Sequence, residues 1–269
     1  LNDFNRDLNT VSDRSSNKPN IFTPNVAPIK TGSAHDVVKG DGVMRVSRTR
    51  KERIAAFELV YQMYRQSGLS SDNPSKMRVL EHHLLDTTSV MVSKREKKVD
   101  FTISLVQDGN LGMPAESLFS EEIKAMRGQG LRLAEISCLA SGCDQMSGRD
   151  RIEKLVKMVA LTFQVARRRG VDRLLLVVHP RHAKVYRRMF GCMPCTDVRE
   201  YKAVQGNPAV LCVHDFAMLD EQKYSLYDQV YATRFDPWEM DGIHMSNAEK
   251  RFFRSVLAQG KNEFVPMVA

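Results

Sequence analysis

Residues 171–191 read VDRLLLVVHPRHAKVYRRMFG. The apolar run Leu174 to Val178 is short and has no polar alternation, so it reads as a strand covered on both faces. Pro180 ends that strand, and Arg181 to Phe190 reads as a helix closed by Gly191. A buried strand that passes through His179, Pro180, Arg181, His182 and Ala183 into a helix carrying Tyr186 is a strand-helix unit of an α/β protein.

Upstream, Arg149 to Arg169 carries Ile152, Leu155, Val156, Val159, Ala160, Phe163 and Val165, the stripe of an amphipathic helix. Arg167, Arg168 and Arg169 in its last turn suit the negative end of the helix dipole, and Gly170 stops it. The small-residue loop Ser141 to Ser147 precedes it, and Leu131 to Ala140 reads as a strand. Before that strand, Ser117 to Met126 suggests a short helix. Ser89 to Val92 and Val99 to Val106, separated by the charged cluster Lys94 to Lys98, read as a hairpin. Ile54, Phe57, Val60, Tyr61 and Tyr64 recur at helical spacing from Lys51 to Gln66, and Gly68 stops that helix. Downstream, Ala209 to Asp215 is the last strand. The expected fold class is α/β with a mixed central sheet flanked by helices.

Three regions follow. Residues 1–44 are rich in Asn, Ser, Pro, Asp and Gly with few aromatics, the composition of a flexible arm, and order is expected near Arg48. Residues 45–218 hold the α/β domain, and 219–269 form a mostly helical extension. Its Phe235, Trp238, Phe252, Phe253 and Phe264 suit a cover over an apolar tunnel, a dimer contact or a lipid contact equally.

With 269 residues and 42% hydrophobic content the chain can bury a sizeable core. No apolar stretch approaches the roughly 20 residues of a membrane-spanning helix, and Leu1 to Thr10 lacks the apolar core of a secretory signal. Five cysteines, Cys138, Cys143, Cys192, Cys195 and Cys212, do not form a disulfide framework and fit a reducing compartment, so a cytoplasmic location is expected. The Cys192/Cys195 spacing lacks the second pair a metal centre needs, and no metal is expected. A net charge of +8 implies an acidic partner: nucleic acid, an anionic membrane surface or an acidic carrier protein. No helix-turn-helix, zinc finger or basic-aromatic strand pattern is present, which argues against nucleic acid.

The strand, polar turn and helix over Val171 to Gly191 resemble the later part of the GCN5-related N-acetyltransferase fold. Asp108, Leu111, Gly112, Pro114, Phe119, Glu121, Leu131, Ala134, Glu135 and Leu139 add an ordered series, continued by Tyr201, Pro208 and Ala209. With the turn Pro180 to Ala183, that series is similar to the long-chain N-acyl amino acid synthases, relatives of the acyl-homoserine lactone synthases. The likeness runs roughly from Arg48 to Phe216 and lies in the order of these residues rather than in any one motif.

The resemblance implies transfer of a long acyl chain from the phosphopantetheine thioester of acyl carrier protein to the amine of an amino acid, with no permanently bound cofactor. A thioester is already activated, so the protein must position two substrates, remove a proton from the amine and stabilise an oxyanion. Glu135, where acyl-homoserine lactone synthases carry a matching glutamate, is the candidate base; its alternative is a strand carboxylate paired with Arg132. Backbone N–H groups around Ser137, Cys138 and Leu139 are candidates for polarising the thioester carbonyl. Tyr186 is a candidate proton donor to the departing thiolate, or else a tyrosine packed on the sheet. Arg181 and His182 are carried over as substrate-binding residues, although His182 also suits a cap, and His179 stands where relatives commonly have Asn.

Arg149, Arg151 and Lys154 oppose the dipole at a helix start, which suits docking of a phosphate and an acidic carrier as well as an ordinary solvated face. The loop Ser141 to Arg149 fits a pyrophosphate cradle poorly, which favours a carrier-bound donor over acetyl-coenzyme A. Three alternatives stay open at this stage: an acyl-homoserine lactone synthase-like enzyme, an acetyl-coenzyme A dependent acetyltransferase, and a non-catalytic module that binds a carrier or a membrane surface.

Overall fold

The computed structural model describes residues 42–142 and 146–261, with side chains to residue 259. Residues 1–41 of the expected arm, 143–145 of the small-residue loop and 262–269, Phe264 among them, lie outside the described residues.

The first element among the described residues is strand β1 (Met44–Val46), ahead of the expected start of order near Arg48. Helix α1 (Arg50–Gln66) follows, its first turn closed by a capping box between Thr49 and Glu52. A single 3-10 turn, Glu81–Leu84, leads into the hairpin β2 (Thr88–Arg95) and β3 (Lys98–Gln107). The charged cluster makes its two-residue turn: Glu96 and Lys97 have φ of 50° and 68°, the left-handed pair that matches strand twist. Helix α2 (Glu116–Gly128) and strand β4 (Leu133–Ser141) come next. Helix α3 (Gly148–Arg168) is capped by Ser147, whose side chain accepts from the Asp150 N–H.

The segment 171–191 folds as read: β5 (Arg173–Val178), then α4 (Pro180–Phe190), with Gly191 at φ 68°. Two short strands escaped the sequence pattern, β6 (Met193–Pro194) and β7 (Arg199–Tyr201). Both pair with β8 (Asn207–Asp215), and such short lengths carry no period to detect. Helices α5 (Phe216–Gln222), α6 (Tyr227–Ala232), α7 (Pro237–Met240) and α8 (Asn247–Lys261) complete the described residues.

The strands form one mixed sheet in the order β1-β2-β3-β4-β5-β8-β6, with β7 on β8. Every pairing is antiparallel except that of β4 with β5. One face packs on α3 and α4 through Ala134, Ile136, Leu174, Leu176 and Phe163. The other carries two separate clusters: one with α1 around Phe57, Cys138 and Ala140, and one with α2 around Phe119, Leu133 and Leu175. The seam between those clusters is where β4 departs from β5.

The three arginines ending α3 do more than meet the dipole. Arg167 forms a two-toothed ion pair with Asp220 of α5, Arg168 reaches Asp241, and Arg169 donates to the Thr87 carbonyl and to Ser89 Oγ. The C-terminal helices are packed onto the sheet layers. Phe253 of α8 is fully buried, edge-on to Phe57 with centroids 5.2 Å apart. Arg53 of α1 and Glu249 of α8 form a buried ion pair at 2.7 Å. Among the described residues no helix is long and apolar enough to cross a membrane.

Removing one partner of a buried pair leaves an uncompensated charge, so Glu249→Ala is expected to cost about 3–5 kcal/mol of unfolding free energy in urea titration. The double variant Arg53→Met/Glu249→Leu should recover most of that loss.

Candidate active site

Strands β4 and β5 pair in parallel only over Leu133 to Ile136 against Arg173 to Leu176. Beyond Ile136, β4 keeps its partner β3, while β5 continues alongside β8. A β-bulge marks the departure. The β3 register jumps from Ser104 opposite Ser137 to Thr102 opposite Ala140, and Cys138 takes a φ of 51°. A left-handed conformation costs a non-glycine residue roughly 1–2 kcal/mol and persists only where surrounding packing enforces it. The bulge also shifts the phase of the strand: Ala134, Ile136 and Leu139 join the α3 face, whereas Cys138 and Ala140 pack with α1. From Ser137 on, the β4 backbone therefore has no β5 strand beside it.

Glu135 sits one residue before the pairing ends, opposite Val106 on β3 and Leu175 on β5, both fully buried. Its side chain is itself buried, with one carboxylate oxygen accepting from the Ala115 N–H at 2.7 Å. The expected competitor for it is engaged elsewhere. Arg132 pairs with Asp172, and Glu135 has no ion-pair partner among the described residues. Burial pushes the Glu135 carboxyl up to about 8, opposed by the Ala115 hydrogen bond and assisted by the nearby Glu116 charge.

The loop before α2 is built to hold that N–H in place. Arg127 bridges Asp108 and Glu116, and Glu116 Oε1 accepts from the Met113 N–H. Gly112 has φ 63°, and a Cβ there would strike the Glu116 carboxylate. Strand β7 closes the site from above: Arg199 donates to the Leu118 carbonyl at 2.9 Å, and the Tyr201 hydroxyl donates to the Pro114 carbonyl at 3.2 Å.

The remaining expected residues distribute as follows. Ser137 Oγ lies 3.8 Å from Cys138 Sγ, and burial raises the Cys138 thiol. Leu139 packs on the α3 face. Tyr186 of α4 also belongs to that layer, has no protein hydrogen-bond partner among the described residues, and is pushed by burial to about 12. It lies close enough to Tyr64 of α1, on the other face, to act on it electrostatically.

His179 caps α4 by accepting from the Arg181 N–H at 3.2 Å, so the cap is His179 rather than His182. Arg181 is exposed and donates to His182 Nε2, and burial lowers His182 to about 4. Arg149 and Arg151 have no ion-pair partner among the described residues, but Lys154 is committed to Asp100 of β3. Cys138, Cys192, Cys195 and Cys212 are free thiols, and the described residues contain no group of three or more His, Cys, Asp or Glu able to hold a metal.

Sequence reasoning missed Arg78 and Tyr64. Arg78 lies in the irregular segment between α1 and β2, where no period marks it. Two surface cavities lie elsewhere and are not lined by Glu135, one between β2 and residues 240–245, the other between Glu81, Leu111 and the end of α8.

A mixed sheet whose single parallel pair splays at a bulge, with helices on both faces, defines this chain as a protein of the GCN5-related N-acetyltransferase fold. The structure of FeeM, an N-acyl amino acid synthase from uncultured soil microbes, matches with a TM-score of 0.60 at 21% identity, covering 70% of this chain and 97% of that one. That of BjaI, a CoA-dependent acyl-homoserine lactone synthase, matches with a TM-score of 0.51 at 12% identity, covering 80% and 99%. No curated protein sequence matches. The family model described as N-acyl amino acid synthase FeeM matches residues 55–215. The chain belongs to this family and is an acyltransferase.

Glu135 has a stability signature. Its folded pKa lies above the ordinary 4.5, so the folded state holds the proton more tightly. That contribution is complete below about 4.5 and is lost as pH rises through about 8. Glu135→Gln keeps an acceptor for Ala115 and carries no charge. It should melt above the wild type at pH 8.5, with the gap closing toward pH 5.

Proposed function

We propose that this enzyme moves a long-chain acyl group from the phosphopantetheine thioester of acyl carrier protein to the amine of an amino acid, with Glu135 as the base. The observation that carries this reading is a buried carboxyl without an ion pair, its pKa pushed up to about 8, at the point where the parallel strands part. A carboxylate paired with arginine would be too weakly basic to take a proton from an ammonium.

The thioester lies along the free side of β4, its carbonyl polarised by backbone N–H groups around Ser137, Cys138 and Leu139. Glu135 takes a proton from the incoming amine, directly or through a water, and the amine nitrogen attacks the thioester carbon. The tetrahedral oxyanion collapses and the C–S bond breaks; the thiolate takes a proton from the Tyr186 hydroxyl, which has no hydrogen-bond partner among the described residues, the nitrogen gives its second proton through water to the Tyr186 phenolate, and Glu135 releases its proton to solvent. Arg181 and His182, at the start of α4, contribute to substrate binding. No permanently bound cofactor is required.

Docking of the acidic carrier rests on Arg149 and Arg151 at the start of α3. Lys154, tied to Asp100, is dropped from that group. The preference for a carrier over coenzyme A rests on the sequence of the loop Ser141 to Arg149. A cytoplasmic location follows from free cysteines and a soluble co-substrate, and a membrane contact would serve delivery of the lipid product.

Mass spectrometry of lipid extracts from cells expressing wild type and Glu135→Gln tests the reaction: N-acyl amino acids should accumulate only with the wild type. With purified protein, kcat/KM should rise about tenfold per pH unit and level near pH 8, and Glu135→Gln should lower kcat by about 10²–10⁴-fold. Absence of product from the pure, folded wild type with acyl carrier protein, acyl-coenzyme A and an amino acid panel would overturn the reading. For the carrier, Arg149→Glu/Arg151→Glu should raise KM for acyl carrier protein and leave KM for the amino acid unchanged.

A further inference from the structure

Arg78 belongs to the segment that returns from α1 to the sheet, and its own N–H is anchored on the Phe57 carbonyl at 3.0 Å. Its guanidinium lies over the Tyr64 ring, 4.9 Å from the centroid, and donates through one nitrogen to the Ala203 carbonyl at 3.0 Å, just beyond β7. Its Nε is sealed from solvent with no hydrogen-bond partner, and no carboxylate among the described residues pairs with it. A guanidinium offers five donors in a planar fork, and a buried donor left unmade is costly.

The charge points at the site. Burial raises the Cys138 thiol and the Tyr201 phenol; the Arg78 charge works against that rise in both, and a side-chain hydrogen bond from Arg78 works against it at Cys138. Glu135 acts on the same two groups in the opposite sense. Glu135 and Arg78 thus both act on Cys138 and Tyr201, one a carboxyl and the other a fixed cation, and no ion pair joins the two among the described residues.

The geometry points to Arg78 as the residue that selects the acceptor by binding its α-carboxylate, which rests on the amino-acid acceptor proposed above. The reacting carboxyl of the donor is a neutral thioester, and the pantetheine arm is neutral as far as its phosphate. The negative charge that must lie beside the attacking amine is the acceptor's own carboxylate, attached to the same carbon. A planar fork stacked on Tyr64, with donors beyond those given to Ala203 and Cys138, suits a carboxylate contact. Such a contact would hold the amine toward Glu135, converting binding of the acid into orientation of the nucleophile.

The test uses the full-length protein, acyl carrier protein charged with a long acyl chain, and two acceptors sharing one side chain: the free amino acid and its carboxamide. The wild type should prefer the acid by on the order of 100-fold in kcat/KM. Arg78→Met should raise KM for the acid by a similar factor, leave the carboxamide and donor KM nearly unchanged, and so erase the preference. Arg78→Lys should keep part of it. Equal loss on both acceptors would make Arg78 a structural residue, and a raised donor KM would assign it to the acyl donor; either overturns the inference. So would a wild type that acylates both acceptors alike, although the acyltransfer reading would then survive. A folded wild type that acylates neither removes both readings together.

Discussion

Two strands that start as a hydrogen-bonded parallel pair and then separate impose the condition on which the rest of this molecule rests. A β4 strand released from β5 exposes backbone donors and acceptors inside the protein, and such groups are tolerated only where a partner is supplied. Pairing with β3 holds the far side, through Thr102 with Ala140 and Phe101 with Ser141. The bulge at Cys138 absorbs the change of direction, and the packing of Cys138 and Ala140 against α1 holds its strained backbone in place. The opening is therefore a rigid feature of the sheet, bounded by α1 and α2 on one face and by α3 and α4 on the other.

Electrostatics around the opening follow one pattern with two exceptions. Asp108 and Glu116 share Arg127, Glu122 meets Arg199, Asp172 meets Arg132, and Asp215 meets Arg173. Those pairs fasten the loop before α2, strand β7 and the edges of β5, so that the Ala115 N–H and the Tyr201 hydroxyl are delivered to fixed places. Glu135 and Arg78 stand outside the pattern. Leaving the buried Glu135 carboxyl without an ion pair and the sealed Arg78 Nε without an acceptor lowers stability, and such cost recurs where groups are kept for chemistry.

The C-terminal helices extend the same logic. They are tied to the core by the buried Arg53–Glu249 pair, by Phe253 against Phe57, and by Arg167 of α3 gripping Asp220. Helix α1 also carries Tyr64, so the extension braces the helix that forms one wall of the site. Trp238 remains half exposed on α7, whereas Phe252 is covered by the Arg50 guanidinium at 3.8 Å.

The order of helices and strands was legible in the sequence because each long element has a period. The stripe from Ile152 to Val165, the apolar run Leu174 to Val178 and the stops at Gly170 and Gly191 fix α3, β5 and α4 with little help from distant residues. Glu135 was singled out through the resemblance to acyl-homoserine lactone synthases, which carry a matching glutamate. Its freedom from an ion pair was not legible: Arg132 is closer in sequence, and only the fold shows that Asp172 takes it. Lys154 likewise reads as a docking cation until β3 brings Asp100 to it. The bulge at Cys138, the short strands β6 and β7, and the placement of Arg78 leave no periodic trace, because each is set by contacts between residues far apart in the chain. Local pattern determined which segments form; which charges are cancelled and which are left unpaired was decided by tertiary packing, since ion pairing depends on proximity in space and not on spacing along the chain.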